Sequence, residues 1–396
     1  MELLAIIFWA FVFIVFYAYI GYGMLLFLII SLRRLFGHGK PYSENQDYQP
    51  EITLLVAAYN ERDYVVRKVE NSLTLNYPGD KVKMVWVTDG SDDGTPEILA
   101  QFPDITVLHQ PERRGKIAAM NRAVKLVKTP IIVFSDANTV LGKDSLKLIV
   151  DMFRNPKVGC VSGEKRIQQQ AAETAAGAGE GIYWKYESTL KKWDAEWYSV
   201  VGAAGELFAV RSELYQDVEP DTILDDFVIS LRIAMKGYTI NYNPEAYASE
   251  TASASVKEEL KRKIRISAGG IQSIVRLRKL LNIFKYGRLS FQYISHRVLR
   301  WSLAPLSLLF VLILNFFLFL SEMQNGETGF YSALMAGQVL FYSCSILGWI
   351  LENRQIRVKL LFVPYYFLIM NYSVYLGFYR YIRNKQSVNW ERAKRA

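Results

Sequence analysis

Hydrophobic positions fall into two patterns along the 396-residue chain. Residues 3–32, 301–320, 330–351 and 358–378 form long apolar runs with almost no charge. Each has the roughly 20 residues that a helix needs to cross the hydrocarbon core of a bilayer. Four such runs rarely coincide in a soluble core, so they predict membrane-spanning helices. The first is too long for a signal-peptide core and lacks a small-x-small cleavage site, which predicts an uncleaved anchor.

Between the runs the apolar stretches are short. Residues 52–58, 82–87, 105–108 and 131–134 are strand-sized and rich in β-branched side chains. Helical spacing separates them. Val65, Val66, Val69 and Leu73 predict a helix starting near Glu61, and residues 116–127 predict another. Thr95-Pro96 reads as a helix N-cap followed by Pro at the first helical position. Strand and helix in alternation predict an α/β fold with a Rossmann-like, doubly wound and mainly parallel sheet. A polar linker over 37–50 divides it from the anchor. The predicted domains are therefore an anchor at 1–34, an α/β domain at 50–290, and a C-terminal membrane domain at 291–396 with about three spans.

After Asp151 the pattern loosens, and the Ala- and Gly-rich residues 171–181 give no clear element. Residues 182–197 carry Trp184, Trp193 and Trp197 on an amphipathic helix, which either lies near the bilayer or covers the sheet. Residues 256–281 are basic, and read as a helix under anionic headgroups or as a solvated charged face.

Charge and composition narrow the partners. The net charge is +9, and Lys and Arg flank the apolar runs. No nucleic-acid motif is present, so the basic balance points to membrane lipid. Cys160 and Cys344 lie in a soluble and a membrane segment and form no structural disulfide, as in a cytosolic catalytic domain. His38, His109 and His296 have no zinc-ligand spacing.

Candidate chemistry sits where strands end. Asp89 opens Asp89-Gly90-Ser91-Asp92-Asp93-Gly94-Thr95, and Asp136 lies in Ser135-Asp136-Ala137-Asn138. Open α/β sheets bind ligands in the crevice beyond such strand ends. Between them, Arg113-Arg114-Gly115-Lys116 begins a helix, where backbone N–H groups and a cation suit a phosphate. Asp225-Asp226 opens a helix that Gly237 ends. Two adjacent carboxylates raise one pKa toward that of a usable base; Asp226 is the candidate base with Asp225 supporting it, although Asp225 also suits a plain N-cap. A nucleoside diphosphate, its metal and a proton acceptor for an attacking hydroxyl would all be served.

In order, Ala57-Ala58-Tyr59-Asn60-Glu61, the Asp89 run, Gly115-Lys116 with Asn121 and Ala123, the Asp136 run, Gly205 ahead of Arg211, and Asp225-Asp226 resemble the inverting family 2 glycosyltransferases over about residues 50–270. The resemblance implies a GT-A fold. It implies that Tyr59, Glu61 and Asp89 hold the uridine of a UDP-sugar, and that Asp136 holds Mg²⁺ or Mn²⁺ at the diphosphate. Asp226 would match the catalytic base. The apolar runs make the chain similar to the membrane-integrated branch with the cellulose, hyaluronan and poly-N-acetylglucosamine synthases. Three positions depart from the family pattern. Asn138 stands where the metal motif usually ends in Asp, leaving an uncharged oxygen ligand. The acid pair is Asp-Asp rather than Glu-Asp. The Q-x-x-R-W motif of processive synthases reads Arg262-Lys263-Ile264-Arg265-Ile266, with Arg265 available to the diphosphate and no aromatic.

The expected activity is transfer of one or a few sugars to a hydroxyl on a glycan or lipid-linked acceptor. The alternatives are a processive polysaccharide synthase, a polyprenyl-phosphate sugar synthase and a non-catalytic membrane scaffold. Arg33-Arg34 and the cations at 354–359 place residues 40–290 on the cytosolic side of a bacterial-type inner or plasma membrane. Four spans put the C-terminal tail outside, whereas its six Lys and Arg from Arg380 to Arg395 favour the inside; a re-entrant last run at Pro364 would reconcile them.

Overall fold

The computed structural model describes residues 1–37, 48–167, 175–251, 255–326, 328–354, 356 and 358–383. The centre is an eight-stranded sheet in the order β3-β2-β1-β4-β7-β6-β8-β5. Strands β1 (Ile52–Ala58), β2 (Val82–Asp89), β3 (Ile105–Gln110) and β4 (Ile131–Asp136) are mutually parallel, as the alternating pattern predicts. The other half is mixed. β7 (Leu207–Arg211) runs antiparallel to both β4 and β6 (Val158–Ile167). β8 (Thr239–Glu250) is parallel to β6, and β5 (Val140–Leu141) closes the far edge antiparallel to it.

Both sheet faces are covered, which is why the parallel strands read as unbroken apolar runs. Leu55, Val87, Ile132 and Phe134 enter one apolar layer, and Leu54, Val56, Trp86 and Val133 enter the other. The period of two along each strand sorts them. β1 pairs with β2 on one side and β4 on the other, so the chain reverses its winding there. The crevice at that switch receives the carboxyl ends of all three strands.

Helices differ from the sequence expectation in detail. The helix expected over 116–127 ends as Lys116–Val124. Thr95 is not the cap: Gly94, at φ +93°, precedes the Thr95–Leu99 helix. The Thr95 hydroxyl instead donates to Asp93 and accepts the Glu61 N–H, pinning two turns together. Asp225 likewise lies inside its helix, Asp225–Met235, with Leu224 at the cap position and no side-chain cap bond.

Four helices are long and apolar enough to cross a membrane: Glu2–Leu35, Leu303–Gln324, Phe330–Asn353 and Leu360–Ile382. The last passes through Pro364 without a break, so it is a full-length helix rather than a re-entrant one. The tail charges beyond residue 383 lie outside the described residues.

Two helices join the sheet to these spans. Ala175–Trp197 unites the two readings of its Trp-rich stretch. Its Ser188 bonds Tyr242 of β8, while Asp194 accepts from Tyr22 of the first span. Arg34 grips Glu196 with two parallel bonds at 2.8 and 2.7 Å. Val256–Arg276, the basic stretch, packs along the last span instead of lying free under headgroups. Gly377 permits the approach, since a Cβ there would come within 2.6 Å of Ser267 and 2.8 Å of the Ala268 nitrogen.

Candidate active site

The crevice divides into a narrow cleft and a wider cavity. The cleft is lined by Ala57, Ala58 and Tyr59 after β1, Asp89 at the end of β2, and Arg113 and Gly115 before the Lys116–Val124 helix. One Asp89 oxygen accepts the N–H groups of Arg114 and Gly115 at 2.9 and 2.6 Å. These amides, which sequence reasoning offered to a phosphate, are therefore taken by Asp89. The other Asp89 oxygen is buried with no hydrogen-bond partner among the described residues. Such an atom is costly unless a ligand donor reaches it. The Arg113 guanidinium lies 3.8 Å from the centre of the Tyr59 ring. Glu61 is buried beside Thr95 and lines neither the cleft nor the cavity.

The cavity is about 250 Å³. Asp136 reaches it from the end of β4, with Asn138 from the turn that follows. Asp225 and Asp226 enter from the first turn of their helix. Gly205 leaves room for this: a Cβ there would stand 3.2 Å from the Asp226 carboxylate oxygen. Lys116 ties the acids together. Its ammonium lies 2.8 Å from Asp136 and 3.7 Å from Asp225. Burial alone would lower the Lys116 pKa, but Asp136 and Asp225 outweigh it and raise it, so the lysine stays charged. Arg265 also lines the cavity, as does Ile266.

Asp226 holds its proton more tightly than a free carboxyl. Burial, and then the charge of Asp225, push its carboxyl up to about 7, against a smaller opposing pull from Lys116. It keeps a face open to the cavity. A carboxylate with that affinity for protons can take one from a hydroxyl near neutral pH.

Several residues here were not singled out from sequence. Glu206 lines the cavity and pairs with the buried Lys165 at 3.2 Å. Burial raises the Glu206 carboxyl, but Lys165 overrides this and lowers it to about 2. Trp301 also lines the cavity, although in sequence it is merely the first residue of a membrane run. Its ring packs edge-on against Phe227 at 5.2 Å, and a Cβ on Gly270 would overlap it. Trp301 and Trp184 line the same cavity as Ile266. Residues from such distant parts of a chain carry no local pattern that would announce them.

Among the described residues no group of three or more His, Cys, Asp or Glu could hold a metal ion. The available set is Asp136 with Asn138, both oxygen donors facing the cavity. Hard cations such as Mg²⁺ are commonly held by one or two protein oxygens plus substrate phosphates and water, and this set fits that pattern.

Residues 50–269 match the model of the glycosyltransferase like family 2. The chain belongs to this family. Curated relatives of this glycosyltransferase include poly-β-1,6-N-acetyl-D-glucosamine synthases. That of Staphylococcus aureus strain MSSA476 is 27% identical over 240 residues, covering 59% of this chain and 57% of the relative. That of Staphylococcus epidermidis is 27% identical over 242 residues, covering 59% and 58%. The match thus spans little more than half the length of these relatives. Among solved structures, mannosyltransferase PcManGT from Pyrobaculum calidifontis, in complex with GDP-Man and Mn²⁺, superposes with a TM-score of 0.71 at 21% identity. That likeness covers 97% of this chain and all of the other, so the fold is shared across both the sheet and the membrane helices. The protein is a membrane protein whose glycosyltransferase domain has the GT-A fold.

Proposed function

We propose that this protein is an inverting glycosyltransferase that moves a sugar from a UDP-sugar to a hydroxyl on a glycan or lipid-linked acceptor in cell-surface glycan synthesis. The observation that carries the reading is Asp226: a carboxyl held near neutrality, facing a cavity shared with Asp136, Lys116 and Arg265. In this reading the 50–290 segment is the catalytic unit and faces the cytosol, and residues 1–34 and 291–396 anchor it.

The nucleoside occupies the cleft between Tyr59 and Asp89, where the unpartnered Asp89 oxygen accepts a base N–H. Glu61 acts behind it, by bracing the turn through its backbone bond to Thr95. Asp136 and Asn138 would hold a divalent cation, Mg²⁺ or Mn²⁺, which when bound supplies positive charge to the diphosphate leaving group. Lys116 and Arg265 add cationic charge from the protein itself. Asp226 accepts the proton of the attacking hydroxyl as the new bond forms on the face of the sugar opposite the departing diphosphate. Asp225 keeps the Asp226 pKa high and stays paired with Lys116. Transfer ends after one or a few sugars, since position 266 lacks the aromatic of processive synthases and four spans offer few helices to line an export path.

The test is a turnover screen of the purified full chain with UDP- and GDP-linked sugars. Release of UDP from one UDP-sugar, stimulated by a lipid or glycan extract, supports the reading. Turnover confined to GDP-sugars would overturn the donor assignment. No turnover of any nucleotide sugar would favour the scaffold.

A further inference from the structure

A second cavity, about 350 Å³ and mostly apolar, adjoins the catalytic one. The two share Lys263, Ile266, Arg297 and Trp301 as common wall. Its far side is built from the last span, through Phe362, Val363, Tyr366, Phe367 and Met370. Val363 is 52% exposed on the outer surface of that span, where hydrocarbon would meet it. The rest of the wall has one sign of charge. Lys263, Arg297 and Arg300 line it, and none of its lining residues among the described ones is Asp or Glu. Buried acids hold these cations in place: Glu187, which lines the catalytic cavity, pairs with Arg297 and Arg300, and Glu259 lies 3.6 Å from Lys263.

From the bilayer inward, then, a ligand meets hydrocarbon-like surface, next cations, next the carboxylate of Asp226. That sequence of surfaces complements one kind of molecule: an apolar chain, an anionic linker, and a hydroxyl beyond it. We infer that this cavity seats the acceptor of the proposed transfer, and that the acceptor is a membrane lipid carrying a phosphate-linked sugar. The chain lies against Phe362, Tyr366 and Met370. The phosphate meets Lys263 and Arg297, and a hydroxyl of the attached sugar reaches Asp226. An ordinary lipid filling the cavity would have no need of a wall shared with the reaction site. Matching charge at that wall is what selects an anionic linker over a neutral glycan.

The step balances as a displacement. The lipid-borne hydroxyl oxygen bonds to the anomeric carbon of the donor sugar while the bond from that carbon to the nucleoside diphosphate breaks. The diphosphate leaves with the electron pair, and the hydroxyl proton passes to Asp226. The inference rests on the glycosyl-transfer reading above and deepens it by naming the acceptor class.

The test uses the full chain in nanodiscs made from a lipid extract of the source cells, or from pure dioleoyl phosphatidylcholine, with a radiolabelled donor that the turnover screen has identified. Label should enter a chloroform–methanol-extractable product only with the cell extract. Mild acid should release it as a disaccharide or longer. In Met370→Trp and Val374→Trp, which fill the cavity, the ratio of lipid product to hydrolysed donor should fall at least tenfold. On the wild-type chain, a diazirine-bearing isoprenyl phosphate should photolabel peptides from residues 359–382, whatever the variants do. Donor turnover with all label water-soluble would overturn this inference while leaving the transferase reading intact. So would release as a monosaccharide, an unchanged ratio in both variants that turn over donor, or photolabelling elsewhere. Absence of donor turnover would strike the transferase reading instead.

Discussion

At the scale of single residues, the proposed chemistry rests on one carboxyl. Asp226→Asn keeps its shape and removes its basicity. Turnover should fall by about 10²- to 10⁴-fold, the usual worth of a general base, with nucleotide affinity nearly unchanged by calorimetry. The pH dependence has a definite sign. As the proposed base Asp226 would work deprotonated, so turnover per enzyme should rise with pH and level off above about 7. Stability runs the other way. A carboxyl raised above its unfolded value contributes fully below the unfolded pKa near 4 and loses that contribution as pH rises through about 7. The Asn variant should therefore gain no Tm over wild type near pH 4 and gain most above pH 7, measured by a thermal scan at each pH. Asp136→Ala should weaken UDP binding only in the presence of Mn²⁺ or Mg²⁺, and excess EDTA should abolish turnover of the wild type. The strand-end and helix-start acids were legible because short motifs mark them. Glu206 and Trp301 were not, because only tertiary folding brings them to the cavity.

At the scale of elements, the parallel half of the sheet was legible and the mixed half was not. β1 and β4 are buried on both faces, and all four strands are separated by clear helical or turn spacing. β6 and β8 carry Glu164, Lys165 and Glu250, buried polar residues that blur an apolar strand pattern. Lys165 is matched by acids distant in sequence, Glu206 and Glu250, so its fitness for a core strand cannot be seen locally. The basic helix posed a similar difficulty. Its small residues meet the last span closely, and Gly377→Leu would drive a side chain into the Ala268 backbone. We expect that change to cost about 1–3 kcal/mol, as overpacking does. It should lower the Tm of the detergent-solubilised protein and raise protease sensitivity between residues 255 and 276.

For the whole molecule, the membrane runs were the plainest part of the sequence, since length and absence of charge suffice to identify them. Sidedness rests on flanking charge instead. A Lys83→Cys variant in a background without Cys160 and Cys344 should react with an impermeant maleimide only after cells are opened. Reaction in intact cells would place the transferase domain outside.

The sheet is tied to its spans at two separate points: Arg34 and Tyr22 hold the Ala175–Trp197 helix, and Gly377 seats the Val256–Arg276 helix. Two attachments remove the freedom to tilt that a single tether would leave. The proposed base, Asp226, then stands at a constant altitude above the bilayer. An enzyme fixed this way measures its partners by depth as well as by chemistry. Molecules diffusing in the plane arrive already at the right height, so the search for them is two-dimensional, and a soluble mimic with identical functional groups would have to find that height by chance.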